Sequence, residues 1–294
     1  MANIAIVWDF DGTLSPEDST TKTVEILDGD TPGNEFWDYI KSLRGDRRKP
    51  SWEHILASDA PIWMYSLSRL AFKKRVPLNA EFFRKFVLPS INTYSKVTPF
   101  LEKIKSLEKS EDFRQVDLQI HHFVITAGLK ELVEQVFPNN LVTWTFGCRY
   151  TVTAHEGHQD EPESIPVFCM DETVKTRSLF EISKGSFNDP SKQVNTRVED
   201  KHLWVPFKNV IYVGDGPTDV PALSLVRDKG GIGIAVYNPT LDTDAVNKRL
   251  KQMRLDKRAD LITPADYSLS GELFKYLKTR CIQIRQRYEA EKSL

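Results

Sequence analysis

Five short apolar runs, Ile4–Trp8, His122–Ile125, Leu141–Phe146, Val210–Val213 and Ile232–Val236, constrain this chain more than any other feature. Most are continuous rather than alternating, the pattern of strands covered on both faces in a parallel sheet. Asp260–Ile262 reads as a sixth, weaker strand. Thr98–Leu107, Leu129–Phe137, Thr176–Ser183 and Val220–Val226 repeat apolar residues at steps of three and four, as helices that bury one face do. Strands alternating with helices predict an α/β fold built on a doubly wound parallel sheet.

Two excursions break that rhythm. More than 100 residues separate the first strand from the second, where a simple crossover needs only about a dozen. Residues 15–96 are therefore expected to form an inserted helical module, with 1–14 and 97–294 making the α/β core. The insertion is rich in aromatics, with Phe36, Tyr39 and Ile40 on one face and Phe82, Phe83 and Phe86 on another. Breaks are expected at Pro32–Gly33, Pro50, Pro61 and Pro77. The second excursion follows Phe146: Tyr150–Ala154 and Ile165–Met170 should pair as a small β-hairpin around a polar tip, His155 to Glu163. Glu272–Lys292 reads as a surface helix.

Composition excludes several classes. The chain has 294 residues, 40% hydrophobic and 28% charged, enough to bury a core. Its 40 Lys and Arg nearly balance 41 Asp and Glu, which argues against a dominant nucleic-acid or anionic-membrane surface. No apolar run approaches the roughly 20 residues of a membrane helix, and Ile4–Trp8 is too short for a signal core. Cys148, Cys169 and Cys281 make neither a metal spacing nor a disulfide framework, so a reducing cytoplasm is the expected setting.

The chemistry gathers at strand ends. The first strand closes on Asp9-Phe10-Asp11-Gly12-Thr13 and the fourth on Gly214-Asp215-Gly216-Pro217-Thr218-Asp219. Residues two apart in an extended segment point the same way, so Asp9 and Asp11 can face one crevice, and Gly12 permits a tight exit. Carboxylates brought together from both strand ends would repel unless a cation joined them. Such hard oxygen ligands suit Mg²⁺, which also accepts a substrate phosphate. Thr126-Ala127-Gly128, after the second strand, reads as an oxyanion cradle at the start of a helix.

In this order and spacing the motifs resemble those of the haloacid dehalogenase-like superfamily, most closely its phosphoserine-phosphatase-like branch with a helical cap. DFDGT matches the first motif, Thr126 the second, Lys175 the third and GDGPTD the fourth. The resemblance implies that Asp9 is the nucleophile, forming an aspartyl-phosphate, and that Asp11 is the acid and then the base. It implies Mg²⁺ held by Asp9, the Asp11 carbonyl and Asp215, with Asp219 close by. Thr126 and Lys175 would hold the phosphoryl oxygens, beside Ala127 and Gly128, with Gly12 and Thr13 in support. The implied activity is hydrolysis of a small phosphorylated metabolite, with no membrane partner.

A phosphotransferase or phosphomutase of the same fold, and a catalytically quiet binding protein, remain alternatives. Gly12, Asp18 and Thr218 stand where phosphoserine phosphatases usually have Ser, Glu and Asn, so phosphoserine is not carried over as substrate. Lys184 and Lys192 also lie between the second and fourth motifs. Lys175 is preferred because it stands just before the helix near Thr176, whereas Lys184 sits at that helix's end, where it suits the dipole. His155-Glu156-Gly157-His158 fits no zinc pattern and reads as a solvated tip. Lys41, Arg44, Arg47, Arg48 and Lys49 read as solvated helix ends.

Overall fold

In the computed structural model, which describes residues 2–29, 33–43, 59–138, 140–155, 158–189, 191–241, 244–256 and 258–292, the apolar runs become strands of one seven-stranded sheet. The strands are β1 (Ala2–Trp8), β2 (Leu118–Leu129), β3 (Val142–His155), β4 (His158–Phe168), β5 (Val210–Gly214), β6 (Ile232–Tyr237) and β7 (Leu261–Pro264). They stand in the order β4-β3-β2-β1-β5-β6-β7. Every neighbouring pair is parallel except β3 and β4, which form a hairpin as a continuation of β3. It is longer than expected, because His155 and His158–Glu163 of the expected polar tip lie in the two strands, and β4 ends at Phe168, short of Met170. The chain builds outward from β1 through β2 to β3, then returns to the other side of β1 to lay down β5. That reversal opens a crevice at the carboxyl ends of β1 and β5, where ligands of such sheets collect.

Strand alternation explains the continuous apolar runs. Ile4, Ile6 and Trp8 enter one buried cluster while Ala5 and Val7 enter the other. The first cluster is covered by α5 (Val97–Lys105) and by α11 (Glu272–Lys292). The α11 helix spans the expected residues, but its stripe of Leu273, Leu277, Cys281 and Ile284 is buried core rather than surface. The opposite face carries α8 (Glu172–Lys184) and α9 (Val220–Asp228). Two short helices, α6 (Glu111–Gln115) and α7 (Lys130–Val133), flank β2, and α10 (Asp244–Leu255) precedes β7.

Residues 15–96 contain α1 (Ser19–Asp28), α2 (Gly33–Ser42), α3 (Asp59–Lys73) and α4 (Ala80–Phe82), the last running into a π turn at Phe83–Val87. Their buried Val24, Phe36, Met64, Leu67 and Phe83 join the same cluster as Val7, Phe123 and Leu179 of the sheet and α8. Tyr39 departs from its expected face: the buried stripe of α2 is Gly33, Phe36 and Ile40, and Tyr39 at its margin is 55% exposed. Phe86 departs too, because the π turn widens the repeat and gives the buried place to Val87. Pro61 lies within the first turn of α3, where its missing N–H costs no helical bond. Pro32, Pro50, Trp52, Glu156, Gly157, Arg44, Arg47, Arg48 and Lys49 fall outside the described residues. No helix among the described residues is long and apolar enough to cross a membrane.

One buried pair ties β2 to the helices. Trp8 Nε1 donates to His122 Nδ1 at 3.2 Å, and His122 Nε2 lies 3.0 Å from the Leu101 carbonyl. An indole can only donate and a carbonyl only accept, so His122 is the neutral Nε2–H tautomer. Burial pushes its pKa down to about 3. The unfolded group titrates near 6.5, so this stabilisation is present above that pH and lost as pH falls toward 3, at about 1.4 kcal/mol per unit. The unfolding free-energy difference between wild type and His122→Gln should therefore shift by about 1 kcal/mol against wild type from pH 7 to 5.5 in urea melts. An unchanged difference would give His122 an ordinary pKa.

Candidate active site

The carboxyl end of β1 is fixed by backbone geometry. Asp9 N donates to Val213 O at 2.8 Å, carrying the β1–β5 ladder one residue further. The chain then folds sharply, with Thr13 N, Leu14 N and Ser15 N all donating to Phe10 O. Gly12 has φ +76°, and a Cβ there would stand 2.4 Å from Asp215 Oδ2. Only glycine meets both demands. Ser19, opening α1, holds Asp11: its N donates to Oδ1 at 2.8 Å and its Oγ to Oδ2 at 3.1 Å.

The second strand end brings Asp215 and Asp219. A short turn, Pro217–Asp219, leads into α9 and turns Asp219 back under the crevice floor, fully buried. Lys175 Nζ donates to Asp219 Oδ1 at 2.7 Å and to Thr218 Oγ1 at 3.3 Å. Tyr212 Oη also donates to Asp219 Oδ1, at 2.7 Å, and Gly216 N to Oδ2 at 3.0 Å. Both Asp219 oxygens are thus committed to protein donors.

Lys175 is the fourth residue of α8 rather than the one before it, because the helix starts at Glu172, where Asp171 caps it by accepting from Thr173 N and Val174 N. Its side chain is 0% exposed, and Nζ is 3.1 Å from Asp9 Oδ1. Burial alone would lower its pKa, but the Asp219 and Asp9 charges outweigh burial and raise it. Lys184 instead donates to the carbonyls of Val194 and Thr196, and Lys192 pairs with Asp189. Neither joins the cluster.

Thr126, Ala127 and Gly128 come to the same crevice with a different local structure from that expected. They belong to the end of β2, where its register with β3 shifts, and α7 beyond them has only four residues. Gly128 N donates to Thr126 Oγ1 at 2.9 Å, so a helix-dipole cradle is replaced by a bent strand end. A Cβ on Gly128 would meet Ser19 Oγ at 2.7 Å and Asp11 Oδ2 at 2.9 Å. Glycine is what lets Asp11 and Thr126 share this corner. Beneath it, Cys148 Sγ donates to Ala127 O and accepts from Met170 N.

Asp9, Asp11, Ala127, Gly128, Asp215 and Thr218 floor a cavity of about 670 Å³, with Thr126, Lys175 and Asp219 buried behind them. Asp9, Asp11 and Asp215 line one side, and Trp37, Asp59, Ala60 and Trp63 of α2 and α3 line another. Arg258 is the only basic residue on its described wall. Burial first, and then the Asp219 charge, raises the Asp9 pKa well above the usual carboxylate range, partly offset by Lys175. Burial, then the Asp18 charge, pushes Asp11 up to about 8 against the pull of the Ser19 hydrogen bonds. Asp9 Oδ1 is buried yet accepts no aligned hydrogen bond, the Lys175 ammonium approaching it off-axis. Asp9, Asp215 and Asp219 can bring carboxylate oxygens within 4.8 Å of one another. An all-oxygen donor set with an orphaned buried oxygen fits a hard divalent cation. Asp219 already accepts from Lys175, Tyr212 and Gly216, and Asp9 and Asp215 are the other carboxylates of this set that could hold such a cation.

Ser19, Tyr212 and Cys148 were not among the expected site residues. A serine after a predicted helix start reads as a cap, and a tyrosine or cysteine inside an apolar strand reads as packing.

No protein-family profile matches the chain. An uncharacterized protein of Borreliella burgdorferi is 25% identical over 297 residues, covering 96% of this chain and 98% of its own length. Among solved structures, phosphoserine phosphatase in its apo form aligns over 93% of this chain and 98% of its own, at 16% identity and a TM-score of 0.53. A substrate-bound phosphoserine phosphatase complex covers 94% of this chain and 99% of its own, at 17% identity and a TM-score of 0.51. At these identities the likeness is one of architecture: the chain has the haloacid dehalogenase-like α/β fold, in the form seen in phosphoserine phosphatase.

Proposed function

We propose that the chain is a Mg²⁺-dependent phosphatase that hydrolyses a small phosphate monoester through an aspartyl-phosphate on Asp9. The observation that carries this reading is the pairing of two unlike carboxylates. Asp9 lies against the Lys175 ammonium with one oxygen free of aligned hydrogen bonds, while Asp11 is held by Ser19 with its pKa raised to about 8. Burial raises both acids in the bare site, but the Lys175 ammonium against Asp9 favours its charged, attacking form, whereas Asp11, pushed up to about 8, can keep the proton of a general acid.

An Asp9 oxygen attacks phosphorus, and the ester oxygen leaves with the Asp11 proton. Asp11, now a carboxylate, takes a proton from water, which attacks the phosphorus of the aspartyl-phosphate. Inorganic phosphate departs, and Asp9 and protonated Asp11 are restored. Lys175 and the Thr126 hydroxyl stabilise the phosphoryl oxygens while charge spreads over them. A bound Mg²⁺ would neutralise the carboxylates and polarise the phosphoryl group, held by Asp9, Asp215 and the Asp11 carbonyl. Gly12 and Thr13 shape the turn that sets Asp11, and Asp219 holds Lys175.

In this reading residues 15–96 act as a cap, since Trp37 and Trp63 face the same cavity as Asp9, and contacts with the alcohol part of the ester come from there. The substrate is a phosphorylated metabolite small enough for that cavity. The free Cys148, Cys169 and Cys281 accord with a reducing, cytoplasmic setting.

The test is phosphate release from a panel of phosphorylated metabolites and p-nitrophenyl phosphate, with Mg²⁺ and with EDTA. Release of one phosphate per ester, lost in EDTA and restored by Mg²⁺, is expected. Transfer to a second alcohol without free phosphate would make the chain a phosphotransferase, and no turnover of any ester would refute the reading.

A further inference from the structure

We propose that Tyr212 is a positioning residue of this site: through Asp219, its phenol sets where the Lys175 ammonium stands relative to Asp9. The proposal rests on the phosphatase reading above.

Val210, Ile211, Tyr212 and Val213 of β5 are all fully buried. Tyr212 shares the Val210 face, packed beneath α8 and α9. Packing alone is served there by phenylalanine, and a buried hydroxyl is unfavourable without a partner. This hydroxyl has one, donating to Asp219 Oδ1 at 2.7 Å.

That oxygen is also the one Lys175 binds, at 2.7 Å, while Asp9 Oδ1 is further from the ammonium, at 3.1 Å. Lys175 therefore stands between two carboxylates, and its place depends on how strongly each draws it. A phenolic proton on the shared oxygen takes up part of its charge and one of its acceptor directions. Gly216 N holds the other oxygen and fixes the rotation of the carboxylate. With the phenol present, Asp219 anchors the ammonium without withdrawing it from Asp9. Without it, Oδ1 meets Lys175 alone and draws the ammonium away from the reacting phosphoryl group. Tyr212 donates to Asp219 and does not line the cavity, so the shortest hydrogen-bonded route from it to Asp9 runs through Asp219 and Lys175.

The experiment is Tyr212→Phe, measured with p-nitrophenyl phosphate and Mg²⁺, alone and combined with Lys175→Met. We expect kcat to fall about tenfold, a step one hydrogen bond to a charged group can account for, with KM and the Mg²⁺ concentration for half-activation within about twofold. In the Lys175→Met background Tyr212→Phe should cost less than about twofold, because residues acting as one unit are not additive. An unchanged kcat would reduce Tyr212 to packing and overturn the proposal. A full tenfold loss in the Lys175→Met background would overturn it too, since the effect would bypass the lysine. A shifted Mg²⁺ dependence with kcat intact would make Asp219 a cation ligand and overturn it as well. Inactivity of the wild-type chain would instead remove the phosphatase reading itself.

Discussion

Asp9→Asn is expected to lower turnover of p-nitrophenyl phosphate at least ~10⁴-fold, the scale on which loss of an enzyme nucleophile reads. The amide keeps the shape of the carboxylate at the end of β1, and its backbone N still donates to Val213 O. What it loses is an oxygen that can form and later release the acyl phosphate. The folded state should survive, because the cluster with Asp215 and Asp219 is relieved of one charge. A near-native thermal melt with no turnover is the expected pair of results. Undiminished turnover in the asparagine variant would sink the mechanism.

Lys175→Met should cost at least ~10²-fold in kcat, as removal of one charge-stabilising donor does, and should also destabilise the fold. Methionine fills the same burial but leaves Asp9 and Asp219 facing each other without a cation. Breaking a buried pair in this way costs about 3–5 kcal/mol, readable in urea melts with Mg²⁺ absent. Lys184→Ala and Lys192→Ala should stay within a few-fold in turnover. Lys184 holds only the carbonyls of Val194 and Thr196, and Lys192 is a surface partner of Asp189. An inactive Lys192 variant beside an active Lys175 variant would reassign the lysine.

The legible parts of the sequence are those where burial leaves a simple periodicity. β1, β5 and β6 are covered on both faces and so read as unbroken apolar runs. Asp9, Gly12 and Asp215 were readable because strand ends in such sheets put short polar motifs at one edge. α10 was not, since Leu250 and Met253 are the buried residues described on a helix that is otherwise mostly polar. The expected helix at Leu129–Phe137 is only Lys130–Val133: β2 takes Leu129, and residues 134–136 form a turn. There a Cβ on Gly147 would stand 2.9 Å from Lys130 N, so β3 lies hard against the start of α7. No local pattern announces a contact of that kind. Tyr212 was hidden for a related reason: its partner Asp219 is brought beside it only when the turn after β5 folds back.

The β3–β4 hairpin limits how the cavity can open. Tyr150 Oη donates to Met64 O at 2.7 Å, Ser164 Oγ accepts from Leu78 N at 2.9 Å, and Ser68 Oγ donates to Ser164 O. The helices over the crevice are therefore fastened along their flank to both strands of the hairpin, in addition to the two chain crossings at their ends. A rigid swing of the whole helical layer would tear these bonds and wet Met64, Leu67 and Tyr150, which are buried. In the proposed phosphatase, substrate entry would then use a smaller aperture, in which α2 and the first turn of α3 part while α3 stays moored at Met64 and Ser68. For the phosphatase proposed above, such a doorway would favour a slender ester over a bulky or polymeric phosphate.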